Sequence, residues 1–512
     1  MNEIDRREFL KFLGITTVAS GALALGCSTN QKKKSYSLFP SSKDDLILAE
    51  GLSYKILIKT GAKINQTDFF GSNPDYTAFI PLDQNSGLLW VNHESATPLF
   101  ISGKERTREN ILKERMMVGG SVLHLVNNGK WEVKTDSPLN RRITADTPFI
   151  FSSNQVIAGS NKVVGTLANC AGGVTPWGNI LTCEENYSEF VGERDFKSRK
   201  ILPSDEHQWD LFFPFPPEHY GWVVEINPKT GFGKKLVGLG RFAHECATVN
   251  QAQDGRCVVY TADDKSDEHI YKFIANKPGS LDKGKLYVAD LEKGKWISLD
   301  RNDHQILKDN FKNQQEIQIF TRPAAKMVGA TPLNRPEDIE IDPKTGNIFV
   351  TLTNNFSKGD YMGKILKIVE KNGDPFSLDF EASTFLMGGK DTGFASPDNM
   401  VFDNSGNLWM VTDMTGDLIG KDPFTLFGNN GLFKIPLSGP NAGSVIQMGS
   451  GPNEAEFTGP SFSPDYKTLF LSVQHPGEKS KSLQQLTSHW PQGGDSIPSS
   501  AVVAIDMGKI KF

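Results

Sequence analysis

Cysteine is scarce: the chain carries five in 512 residues, at positions 27, 170, 183, 246 and 257, too few for a scaffold stapled by disulfides. Long apolar runs are missing as well. The stretch from Phe12 to Gly26 is shorter than the ~20 residues that span a bilayer, which excludes a comfortable transmembrane helix there. Charge of neither sign prevails, with 55 Lys and Arg against 60 Asp and Glu and a formal net charge of -5. That balance excludes a face built to hold nucleic acid. The dense cationic run Lys32-Lys33-Lys34 lies in a polar linker and reads as a solvated tether. Helical phosphate-binding glycine loops and Gly-x-Ser-x-Gly elbows are absent, which argues against a P-loop enzyme or an α/β-hydrolase. Helical patterns are few and short, Glu105 to Met116 being the clearest.

Turns and short strands are what the chain does have, with 48 Gly, 28 Pro and 10% aromatic residues. One object recurs: a Gly or Asp turn, an apolar strand, and a polar strand end. It appears as Ser86-Gly87 through Leu88–Val91 to Asn92-His93-Glu94, and again as Gly178 through 179–182 to Cys183-Glu184-Glu185-Asn186. Further copies end at Asp263-Asp264, at Asn354-Asn355, at Thr412-Asp413 and at Gln474-His475. A second strand precedes each turn. Arg335-Pro336-Glu337-Asp338 aligns with Ser396-Pro397-Asp398-Asn399, and Phe242 to Val249 and Glu456 to Ser463 are looser copies. Six units of roughly 60 to 90 residues predict an all-β, six-bladed β-propeller with long inter-strand loops.

The N-terminus is an address. Arg6-Arg7 within Asp5 to Lys11 is a twin-arginine motif, so residues 1–27 read as a signal peptide handled by the twin-arginine translocation machinery. Ala24-Leu25-Gly26-Cys27 resembles a lipoprotein box. Either Cys27 carries a lipid anchor, or a peptidase cleaves nearby and the protein is free in the periplasm or outside the cell. Residues 28–45 read as a polar linker and 46–512 as the propeller, expected as a monomer.

In a propeller, repeated strand ends converge at one mouth of the central channel. Glu94, Cys183, Glu184, Glu245, Glu337, Asp398 and Glu456 are the acids and thiol gathered on this reading. So many anions repel one another unless cations lie among them. Oxygen ligands suit calcium or ferric iron, and one sulfur tilts a position toward a transition metal. Cys183, flanked by acids, is the cysteine expected at the metal. Cys170, Cys246 and Cys257 read as inert core residues, with a Cys170–Cys246 disulfide left open. Arg335, on the same face as Glu337, suits either phosphate oxygens or a structural ion pair. His93 and His244 precede candidate ligands and so point away from them, whereas His475 ends its own strand and can approach the channel. Asp263-Asp264 either binds calcium or ends a strand.

The blocks Thr175-Pro176-Trp177-Gly178 with Leu181 to Asn186, Arg241 to Glu245, Arg335 to Asp338 and Asn92-His93-Glu94 together resemble the PhoX-type alkaline phosphatases. The resemblance runs from about Asn92 to His475. It implies an exported phosphomonoesterase acting on small-molecule phosphate esters, with two ferric ions and calcium at the channel mouth. By carry-over Cys183 and Glu245 would hold iron, Glu337, Asp398 and Glu456 would complete the metal shell, and Arg335 would contact substrate phosphate as the catalytic residue. A calcium-dependent lactonase or phosphodiesterase, or a metal-stabilised binding platform, stands as the alternative. The lactonase and the platform have no use for a thiolate.

Overall fold

Each repeat folds into a small sheet, and the residues between turns divide by burial as the repeats predict. In the computed structural model, which describes residues 38–204 and 206–508, six sheets have four or more strands. Their first strands are Pro74–Asp83, Asn169–Val174, Thr248–Gln251, Pro336–Ile341, Pro397–Phe402 and Glu456–Phe462. Each of these touches the first strand of the next blade, and Glu456–Phe462 returns to Pro74–Asp83, so the ring closes. The sixth blade is completed from the other end of the chain: Ser53–Lys59 pairs antiparallel with Ala501–Asp506. Closure of this kind leaves no first or last blade with a bare edge toward the ring.

The second strands explain the apolar runs in the sequence. Ile348–Leu352 is buried at every position because neighbouring blades pack on both of its faces. On Ile180–Glu184 the alternation sorts side chains between two cores: Ile180 packs with Trp90, Val122 and Trp222, while Leu181 and Cys183 pack with Val259, Tyr271 and Phe273 of the following blade. Gly172 and Gly173 are required where blades two and three meet. A Cβ on Gly173 would lie 2.1 Å from the Ala247 carbonyl oxygen, and one on Gly172 2.2 Å from that of Leu181.

The helix expected near Glu105 to Met116 spans Arg108–Met117, opened by Thr107, whose hydroxyl accepts from the Asn110 amide at 3.2 Å. Two larger insertions bear on function. One, between Glu184 and Val223, carries the short helix Ser188–Val191 and a hairpin of Glu193–Arg194 with Ile201–Leu202. The other follows the third blade and holds the helices Gln305–Asn310, Gln314–Ile319 and Thr321–Met327.

The twin-arginine motif, Cys27 and the first part of the linker lie outside the described residues. The described end of the linker differs from the expected free tether. The Leu38 amide donates to the Gln447 carbonyl at 2.8 Å, and the Asp44 carboxylate accepts from the Asn453 amide, the Ser488 hydroxyl and the His489 amide. Residues 38–45 are thus held to the propeller by hydrogen bonds while most of them stay exposed.

Candidate active site and metal centre

One backbone device recurs at the start of the inner strands. Asn73, Ala168, Arg335, Ser396 and Glu454 all have left-handed φ, between 40° and 62°. Two residues after each comes a metal-type donor: Asp75, Cys170, Glu337, Asp398 and Glu456. In the first, second, fourth and fifth blades the strand register slips across that donor, a bulge that re-aims the side chain. The third blade places Glu245 by another route, its amide bonded to the Ala262 carbonyl at 3.0 Å. The result is an inner row of one donor per blade: five carboxylates and a thiol.

A second row follows from the same device. A residue one or two positions past each second strand returns a hydrogen bond to the start of the inner strand: Glu94 N to Asn73 O, Glu185 N to Ala168 O, Asp264 N to Ala243 O, Thr353 N to Arg335 O and Asp413 N to Ser396 O, at 2.8 to 3.2 Å. In the sixth blade the His475 ring takes this place, with Nδ1 3.2 Å from the Glu454 carbonyl.

Three overlapping groups of ligand atoms each fit within 4.8 Å: Asp75 with Glu94 and Cys170, Cys170 with Glu185 and Glu245, and Glu245 with Glu337 and Asp398. Cys170 and Glu245 belong to two groups each, the arrangement needed for ligands shared between adjacent cations. Cys170 Sγ lies 3.4 Å from Asp75 Oδ2 and 3.5 Å from Glu245 Oε1. Burial, and then mutual repulsion, raises the acids: Glu94 to about 8, and Glu185, Glu245, Glu337, Asp398 and Glu456 well above the usual carboxylate range. Asp75 rises to about 6 through burial, against hydrogen bonds from Thr458, Cys170 and Gln474. Burial also pushes the Cys170 thiol well up.

The belt fits a cation cluster by direct observation. Glu185 Oε1 and Glu245 Oε2 are buried without a hydrogen-bond partner among the described residues, a costly state that a cation would relieve. A donor set of one sulfur among carboxylates matches a transition metal beside hard cations such as calcium.

Of the residues expected from sequence, Glu94, Glu245, Glu337 and Asp398 are brought together. Glu456 lies at the edge, its Oε2 3.1 Å from His475 Nε2. Arg335 pairs with Glu337, the structural ion pair left open by the sequence, and also with Asp264. Its Nε and Nη2 grip Asp264 at 3.0 and 2.7 Å, and Nη2 also reaches Glu337 at 2.9 Å. Two expectations need correction. Cys183 faces the apolar core between blades and is fully buried there, because on a regular strand it shares the face of Leu181. Glu184, on the opposite face, is spent on a buried ion pair with Lys235 at 2.6 Å and on the Gly221 and Trp222 amides. The cysteine of the belt is Cys170, which had been read as core; all four described cysteines are free thiols, so no Cys170–Cys246 disulfide forms. His93 and His244 are interior, bonded to Ser72 and Ser121 and to Thr261 and Gly240.

Asp75, Cys170 and Glu185 join the belt without having been among the residues expected in it. The signal for two of them was present: Asn73-Pro74-Asp75 and Ala168-Asn169-Cys170 repeat the spacing of Ser396-Pro397-Asp398. Aligning the inner-strand starts of all blades, and not only the fourth and fifth, exposes them.

Residues 34–477 match the family model described as alkaline phosphatase PhoX. Among solved structures, PhoX of Pseudomonas fluorescens in complex with vanadate, a transition-state analogue, is 29% identical, with a TM-score of 0.81 over 92% of this chain and 97% of that one. A gluconolactonase of Xanthomonas campestris is far more distant, at 11% identity and a TM-score of 0.37 over 91% of this chain and 96% of its own. A periplasmic gluconolactonase of Pseudomonas aeruginosa stands at 12% and 0.32, over 89% of this chain and 100% of its own. A search of curated proteins gave no match. The extent of the family match and the shared propeller place this chain in the PhoX family of alkaline phosphatases, which are phosphoric monoester hydrolases.

Proposed function

We propose that this chain is an exported phosphomonoesterase that releases phosphate from organic phosphate esters at a multinuclear iron and calcium cluster. The observation that carries the reading is the belt of buried acids around Cys170, two of whose carboxylate oxygens have no hydrogen-bond partner among the described residues. Asp75, Glu94, Cys170, Glu185, Glu245, Glu337 and Asp398 would hold the cations, with Glu456 next to them. Bound there, the cations supply Lewis-acid polarisation of the phosphoryl oxygens and neutralise charge that develops in transfer.

The chain's own residues do the rest. Asn399 donates to Asp398, while its carbonyl oxygen accepts from Thr458 and the Gly459 amide, so one amide ties inner positions of two blades. Gln474 fixes Asp75 at 2.9 Å, and Thr353 fixes Glu337 at 2.6 Å. Arg335 is locked by Asp264 through Nε and Nη2, while its Nη1 makes no hydrogen bond among the described residues on a side chain 25% exposed. A guanidinium anchored in this way is preorganised to meet phosphate oxygens with its free edge. That a relative was solved with vanadate as a transition-state analogue supports the same reading of phosphoryl transfer.

Metal analysis of purified protein beside a p-nitrophenyl phosphate assay tests this. Iron and calcium in fixed ratio with hydrolysis is the expected result; protein free of both metals and inert toward the ester overturns it. Export rests on the twin-arginine leader. Changing Arg6 and Arg7 to Lys should leave the protein in the cytoplasm on fractionation, because the guanidinium pair is read and not charge alone. Lipid labelling of Cys27 separates an anchored mature form from a free one.

A further inference from the structure

The two insertions build a cavity of about 660 Å³. Its size is that of a small-molecule site. It shares two chain segments with the metal belt. Tyr187 lines the cavity two residues beyond Glu185, and its amide donates to the Glu185 carbonyl at 2.9 Å. Arg322 lines it too and grips Asp263, with Nε to Oδ2 at 2.8 Å; the next residue, Asp264, holds Arg335. Lys265 closes the corner between these segments by donating to Asn186.

The walls are of mixed chemistry. Phe196 and Phe320 meet edge to face at 5.3 Å, braced by the Arg199 guanidinium over both rings. Leu202 and Met327 add flexible apolar surface, with Leu202 52% exposed. Five basic and three acidic side chains line the space, and four of the basic ones are ion-paired: Arg194 with Glu218, Arg241 with Glu193, Arg322 with Asp263 and Lys326 with Glu268. Glu268 contributes one more feature: it is 7% exposed, and its Oε2 has no hydrogen-bond partner among the described residues, leaving an acceptor for a polar substituent.

We propose that this cavity is the leaving-group subsite and takes an aromatic ring esterified to the phosphate. The proposal rests on the phosphatase reading for its second partner, the phosphoryl group at the belt. Ring faces stack on the Phe196 and Phe320 wall, and the aliphatic side chains exclude water behind them.

The test uses metal-loaded full-length enzyme, as wild type and as Leu202→Asn, at an exposed position, and Met327→Gln, at a half-buried one; melting temperatures check that both variants fold. Calorimetry compares phenylphosphonate with methylphosphonate, and kinetics compare phenyl phosphate with glycerol 2-phosphate. Wild type should bind phenylphosphonate roughly tenfold tighter than methylphosphonate, and each variant should lose most of that margin and of the matching kcat/KM ratio. Equal affinities in wild type, or a margin kept by both variants, overturns the subsite. Failure to hydrolyse either ester, with the phenyl preference present in wild type and lost in the variants, removes the phosphatase reading and upholds the ring site.

Discussion

Cys170 and Cys183 are separated by 13 positions and have opposite fates. Cys170 Sγ lies within 3.5 Å of carboxylates from two blades, whereas Cys183 is sealed among Leu181, Val223 and Phe273. A thiol raised by burial and by Asp75 and Glu245 stays protonated unless a cation displaces the proton. Cys170→Ser should therefore strip the transition metal and lower phosphatase activity more than about 100-fold with the fold intact. Cys183→Ser should leave metal content and kcat unchanged and cost about 1 to 3 kcal/mol, because it places a hydroxyl in an apolar core. Elemental analysis and denaturant melts on both variants check this, and iron loss in Cys183→Ser alone would reverse the assignment. Arg335 is the other residue to probe. Arg335→Ala should lower kcat/KM by about 2 to 4 kcal/mol of transition-state stabilisation. It should also lower the melting temperature of metal-free protein, since Asp264 and Glu337 lose three hydrogen bonds between them. Arg335→Lys should recover stability better than rate, because an ammonium cannot fork. Lost stability with unchanged kinetics would leave Arg335 a structural partner only.

At the scale of the element, in every blade but the third a left-handed residue two before the donor points the inner row into the channel. Ser396 has φ 51° and sits two residues before Asp398. A β-branched side chain is strained there, so Ser396→Val should destabilise by about 1 to 2 kcal/mol and weaken metal occupancy, while Ser396→Gly should be neutral or better. Differential scanning calorimetry with metal titration measures both. Equal behaviour of the two variants would show that the turn does not aim Asp398. The same element explains how far the site was legible. Acids at strand ends were visible from the repeats, and Glu94, Glu245, Glu337 and Asp398 do gather. Strand parity alone does not carry through a bulge, because a bulge shifts the face of every residue beyond it. Cys170 and Asp75 sit inside such bulges, whereas Cys183 lies on a regular strand and obeyed parity into the core.

For the whole molecule the belt couples folding to pH and to metal. Without cations, burial lifts Glu94 from 4.5 to about 8 and Asp75 from 3.8 to about 6. Between the unfolded and folded values the native state holds protons that the unfolded chain has released, so the free energy of unfolding falls as pH rises through that window. Chelated protein should therefore melt roughly 5 °C or more lower at about pH 9 than at about pH 5. Metal-loaded protein should lose this dependence, because the carboxylates are then ionised and bound. Calorimetry with and without chelator decides it, and a chelated protein that grows more stable with rising pH would exclude the belt as a cation site.

The sequence alone determined the six repeats, the all-β ring they imply and the acidic channel mouth, because strand alternation and turn chemistry are local properties. Tertiary structure decided which cysteine meets the acids, that Glu184 is given to Lys235, that Ser53–Lys59 closes the sixth blade, and that two insertions enclose a cavity lined by Tyr187 and Arg322. Those choices depend on bulges, left-handed turns and contacts between segments tens to hundreds of residues apart, where no local pattern carries the information.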